Sequence, residues 1–100
     1  MTELIHTDAA ERDLTEIALR IAADDPGAAF RFVDDIRHHC GLLVRAPFMG
    51  RARHDVRADI RSFPHGSYVV YYTLREDIDQ IHILRIWHGR RRTPTVADLL

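Results

Sequence analysis

The sequence predicts an α+β fold: an N-terminal strand, an antiparallel helical hairpin, then a mainly antiparallel sheet of three to four strands. Three observations carry this. Apolar residues recur every three or four positions through residues 8–46, the period of a helix with one buried face. Residues 67–87 are instead dense in branched and aromatic side chains, which suit a pleated surface. One hundred residues, 46% apolar and 29% charged, suffice for a single domain with one core. The expected layout is a strand at about 1–7, the hairpin at 8–46, the sheet at 51–89 and a basic tail at 90–100.

Leu4-Ile5-His6 is the short first strand, ended by Thr7-Asp8, whose small polar side chains can cap a helix. Ala10, Leu14, Ile17, Ala18 and Ile21 then form one helical face. Asp24-Asp25-Pro26-Gly27 breaks that helix and can supply the cap and first turn of the next. Ala29, Phe32, Val33, Ile36, Cys40 and Leu43 make the second stripe, and so short a connection favours an antiparallel pair.

Ala46 to Gly50 ends the helical part. Residues 51–57 read as an exposed loop or edge strand, followed by a strand near Ala58 to Phe63 and a turn at Pro64-His65-Gly66. Ser67 to Leu74 and Ile81 to Trp87 are the strong strands, joined at Arg75-Glu76-Asp77. In both, apolar residues occupy both alternating sets: Tyr68, Val70 and Tyr72 against Val69 and Tyr71; Ile81, Ile83 and Trp87 against Leu84 and Ile86. A sheet covered on one side should alternate more cleanly. Its second face is therefore covered either by a partner or by the chain's own C-terminal segment, where Thr93 to Leu100 reads as a capped helical turn or a loose tail.

Composition narrows the function classes. Net charge is only −1, against a generic or sequence-specific nucleic-acid binder. Residues 1–50 hold five Arg against nine acidic residues, whereas 51–100 hold nine Arg against six. All fourteen basic residues are arginine, so no lysine is available for catalysis. No apolar run spans a bilayer and the N-terminus lacks a signal-peptide pattern, which implies no membrane association and a cytoplasmic setting. The single cysteine, Cys40, excludes an internal disulfide. Seven histidines show no ligand spacing, and the adjacent His38 and His39 point to different sides of a helix, so neither a metal nor any other cofactor is implied.

The order of elements, together with Ala10, Asp13-Leu14 and Ile17, Pro26 with Ala28-Ala29, Leu43 before Pro47 and Gly50-Arg51, Ile60-Arg61, the Tyr68–Tyr72 strand, and Ile83 to Ile86 leading to His88-Gly89-Arg90-Arg91, resembles the RelE/ParE superfamily of toxins from type II toxin–antitoxin pairs. The terminal Arg-Ile-Trp-His-Gly-Arg-Arg is more similar to the ParE branch. That resemblance implies a protein that binds DNA gyrase and is neutralised by a cognate antitoxin in a hetero-oligomer. The RelE branch would instead imply a ribosome-dependent ribonuclease, which needs groups to take and give protons beside phosphate-holding cations. Here Val69 follows Tyr68, Arg57 and Asp59 stand where lysines are common, and no tyrosine follows Tyr72. Only His88 remains as a catalytic candidate, a weak one, since a His-Gly pair at the end of the last strand suits a structural corner. A third option is an inactive homologue that only binds antitoxin.

Arg61, Arg85, Arg90, Arg91 and Arg92 are the target-binding candidates implied by the resemblance. Each has a plain alternative: Arg90 to Arg92 as a solvated strand end, Arg61 and Arg85 as internal partners of carboxylates. Phe30, Tyr71 and Trp87 are the antitoxin-binding candidates, Phe30 because it lies off the main stripe of its helix.

Overall fold

The computed structural model describes all residues, Met1–Leu100. Its elements are β1 (Glu3–His6), α1 (Asp8–Ala22), α2 (Pro26–Gly41), β2 (Arg51–Ala52), β3 (Ile60–His65), β4 (Tyr68–Arg75), β5 (Gln80–His88) and α3 (Val96–Leu99). The strands form one five-stranded sheet in the order β1-β5-β4-β3-β2. β1 runs parallel to β5 and the other neighbours are antiparallel. The sheet thus consists of the first strand and the four that follow the hairpin, and the segment 51–57, open between loop and edge strand in the sequence, supplies a two-residue edge strand.

Local chemistry sets the helix ends. Thr7 accepts a hydrogen bond from the Ala10 N–H at 3.2 Å, while its hydroxyl donates to the Ile83 carbonyl at 2.9 Å. One side chain therefore caps α1 and ties it to β5; losing such a cap typically costs about 1 kcal/mol. Asp25 caps α2 from the Ala28 N–H, with Pro26 in the first turn where its missing N–H is harmless.

Pro64 and His65 lie within β3, which corrects the expected Pro64-His65-Gly66 turn. The hairpin is tighter, with His65 opposite Tyr68 and Gly66 at a φ of 58°. Beyond Ser62 the outer side of β3 has no neighbouring strand, so proline there forfeits no ladder bond.

β4 alternates cleanly between two covered faces, and in β5 a β-bulge reassigns the residues after Ile83. Tyr71 pairs with Arg85 but Tyr72 pairs with Ile83, leaving Leu84 as an extra residue. Parity shifts, so Ile81, Ile83 and Ile86 join the helical core while Leu84 and Trp87 turn to the other face. The sequence grouping of Trp87 with Ile81 and Ile83 is thereby corrected. The main core adds Ala10, Leu14, Ile17, Ile36, Cys40, Leu43, Phe63, Val70 and Tyr72. Burial pushes the Cys40 thiol up to about 11, leaving it a protonated, inert core group at neutral pH.

The second face carries Ile60, Tyr71, Leu84 and Trp87, closed by Leu99 of α3. Of the two covers left open by the sequence, the chain supplies its own. The C-terminal segment is a capped helical turn: Thr95 and Asp98 each bond the other's backbone N–H. No helix is long and apolar enough to cross a membrane.

Candidate functional site

Arg53, Arg85 and the tail arginines gather about the second face, Arg61 lies on the helical side opposite Tyr72, and their partners separate them. Arg85 lies where β5 has run past the end of β1. Its guanidinium meets Asp13 of α1 in two parallel hydrogen bonds of 2.7 and 2.9 Å, and a third reaches the Asp98 carbonyl at 2.9 Å. Asp13 is buried, and its carboxylate also accepts the Ile86 N–H at 2.9 Å, replacing the strand partner that β1 no longer provides. This ion pair, chiefly through its hydrogen bonds, holds the Arg85 pKa above its ordinary value.

Arg61 is bound to backbone. It donates to the Gly50 carbonyl at 3.0 and 2.6 Å and to the Phe48 carbonyl at 3.3 Å, with its guanidinium 5.2 Å from the Phe48 ring centre. The same loop is tied by Tyr72, whose hydroxyl accepts the Gly50 N–H and donates to the Pro47 carbonyl. A Cβ on Gly50 would lie 2.7 Å from the Tyr72 ring, so this approach requires glycine.

The triple arginine divides further. Arg92 pairs with Asp98 at 2.7 Å, and its carbonyl accepts the Trp87 indole N–H at 2.8 Å. Arg91 lies over Trp87, 3.6 Å from the ring centre, without a carboxylate partner. Arg90 is exposed, and only its backbone N–H is engaged, by His88 Nδ1 at 3.0 Å. That contact makes His88 Nδ1 an acceptor and leaves the proton of the neutral ring on Nε2. The ring also packs edge-on against Tyr68 at 5.1 Å. With Arg20 and Arg91, these two residues border a cleft beside α1.

The antitoxin candidates are dispersed. Phe30 is 77% exposed and borders a groove of about 340 Å³ between α1 and α2, lined also by Leu14, Ala18, Leu19, Ala22 and Val33. Tyr71 and Trp87 are 3% and 2% exposed, beneath the C-terminal segment.

Sequence reasoning missed Arg53. It is 8% exposed, paired with Asp55, and donates to the Tyr71 hydroxyl at 2.9 Å and to Ser62 at 3.2 Å. Its signal was an acid two residues on, a spacing repeated at Arg57/Asp59 and Arg75/Asp77, each an ion pair.

A family described as the ParE toxin of the type II toxin–antitoxin system parDE matches residues 4–93. The chain belongs to the ParE toxin family. A curated relative, Toxin RelE1 of Caulobacter vibrioides, is 33% identical over 82 residues, covering 80% of this chain and 85% of that protein. Among solved structures, a chain of the chromosomal ParDE system from P. aeruginosa superposes with a TM-score of 0.76 at 25% identity, covering 88% of this ParE-family chain and 96% of the other. A chain of the toxin–antitoxin complex RelBE2 from Mycobacterium tuberculosis gives 0.59 at 27% identity, over 87% and 96%. Both neighbours come from toxin–antitoxin systems, supporting a cognate antitoxin as partner.

Proposed function

We propose that this ParE-family toxin arrests growth by binding DNA gyrase, and that its contact surface centres on Arg90 and Arg91. The observation that carries the reading is the partition of the arginines. Arg61, Arg85 and Arg92 are committed to internal acceptors, whereas the guanidinium groups of Arg90 and Arg91 meet no carboxylate. Two exposed cations at the end of a rigid strand suit an acidic or phosphate-bearing surface. Purified toxin should block supercoiling by gyrase or trap cleaved DNA. Unimpeded supercoiling at saturating toxin would overturn the reading.

A ribonuclease reading is kept in view by the RelE name of the curated relative. It would require Arg61 to hold a phosphate, yet that guanidinium already grips two carbonyls, and the nearby Tyr72 hydroxyl is engaged at Pro47 and Gly50. Cleavage of message on translating ribosomes by the pure protein would favour this second reading.

The antitoxin reading assigns the groove between α1 and α2 to an amphipathic antitoxin helix, with Ala18, Ala22 and Ala29 leaving room for its larger side chains. Phe30→Glu should weaken antitoxin binding at least tenfold without shifting the unfolding midpoint, because Phe30 contributes little to the core. Tyr71 and Trp87 become accessible to an antitoxin only when residues 93–100 lift from the sheet.

A further inference from the structure

Away from the arginines, α2 meets the β3–β4 hairpin through two histidines. His39 Nδ1 and His65 Nδ1 lie 2.9 Å apart. The ring centres are 5.1 Å apart, close to that separation plus the two ring radii, so the nitrogens face each other nearly in line. Two imidazoles sharing a tetrahedral metal ion at about 2.0–2.1 Å hold their nitrogens about 3.3 Å apart, wider than the 2.9 Å here. The in-line arrangement is instead that of an N–H···N hydrogen bond, with one ring carrying its proton on Nδ1 and the other on Nε2.

We propose that His39 and His65 form a one-proton latch between α2 and the β3–β4 hairpin, closed while a single proton lies between the two Nδ1 atoms and opened when both acquire one. Two neutral rings make the bond. So does one neutral and one charged ring, because the neutral partner still offers its Nδ1 lone pair. Two charged rings present N–H against N–H and repel.

The surroundings oppose the second charge. Phe63 lies 4.4 Å from the His39 ring and Phe32 packs edge-on against His65 at 5.6 Å. On α2, His38 adds a like charge when protonated, and Asp35, one turn back, forms no ion pair with either ring. From the sheet, the titratable neighbours are Tyr68, behind Phe32, and Tyr72, behind Phe63. Burial, then the charges of His65 and His38, hold the His39 pKa below its ordinary 6.5. A lowered value means that the neutral form stabilises the fold above the unfolded value, and that this contribution is lost as pH falls through the folded value.

The test is an NMR titration of the histidine ring nitrogens and carbons in the full chain between pH 8 and pH 5. Opposite tautomers are expected at the alkaline end, followed by two separated protonation steps, the second below the ordinary histidine value. His65→Phe should merge His39 into a single step closer to that value; His65→Asn provides a second, polar variant should the phenylalanine disturb folding. The wild-type melting temperature should also fall more steeply with acid than that of either variant. Identical tautomers, independent titration of the two rings, or a His39 step unmoved by loss of His65 would overturn the latch.

Discussion

The two faces of the sheet are closed by different means. On one, α1 and α2 lay down apolar stripes, and twelve buried residues make a core of hydrocarbon and ring edges. On the other, four buried residues gather under one leucine of a four-residue helix, while Arg53, Arg85 and Arg92 link the surrounding strands and tail to carboxylates, hydroxyls and carbonyls. A broad apolar cover needs no directional partners. A narrow one needs its rim held by hydrogen bonds, and arginine, with five donors in a planar fork, can reach several acceptors at once. An arginine-rich C-terminal half is therefore as much a structural material here as a binding surface.

That contrast breaks most sharply at Asp13, the residue shared by both faces. Asp13→Ala should lower unfolding free energy by about 3 kcal/mol in denaturant titration, since it leaves Arg85 without its carboxylate and the Ile86 N–H without an acceptor. Next, Leu99→Ala should cost about 2 kcal/mol, toward the lower end for a buried leucine because the thin cover can settle into the space. It should also raise the fluorescence response of Trp87 to solvent quenchers. A third, smaller effect concerns acid. Arg92, then the Thr95 backbone, hold the Asp98 carboxyl well below the usual carboxylate range. The stability it lends the C-terminal turn is thus present above the ordinary aspartate value and lost as pH falls below it. Amide exchange at Asp98 to Leu100 should quicken below about pH 4 before the helical core responds. The smallest effect on stability belongs to Arg90→Ala and Arg91→Ala together, which should leave the unfolding midpoint nearly unchanged while abolishing growth inhibition. A variant that stays fully toxic removes these arginines from the contact surface.

The sequence was legible where periodicity is long. Fifteen- and sixteen-residue helices and two strong strands announce themselves by repeated spacing, and Thr7 and Asp25 serve as the caps their positions suggested. It was silent where a structure depends on one residue or a remote partner. The two-residue β2 has no period to tell edge strand from loop, Pro64 reads as a turn until its end of β3 is known to run past β2, and the extra residue at Leu84 cannot be seen without its partner strand. The arginines show the same limit. Arg85 and Arg90 are chemically identical in the chain, and Asp13, 72 positions away, makes one of them internal.

What the amino-acid order determined alone is the α+β class, the caps, the apolar stripes and the ParE-like ending, because each arises from residues within a turn or a strand of one another. Tertiary structure decided which arginines remain free, which face each apolar residue joins, and that Leu99 shelters Trp87. Those outcomes depend on contacts between segments far apart in sequence, and long-range geometry is absent from any local pattern.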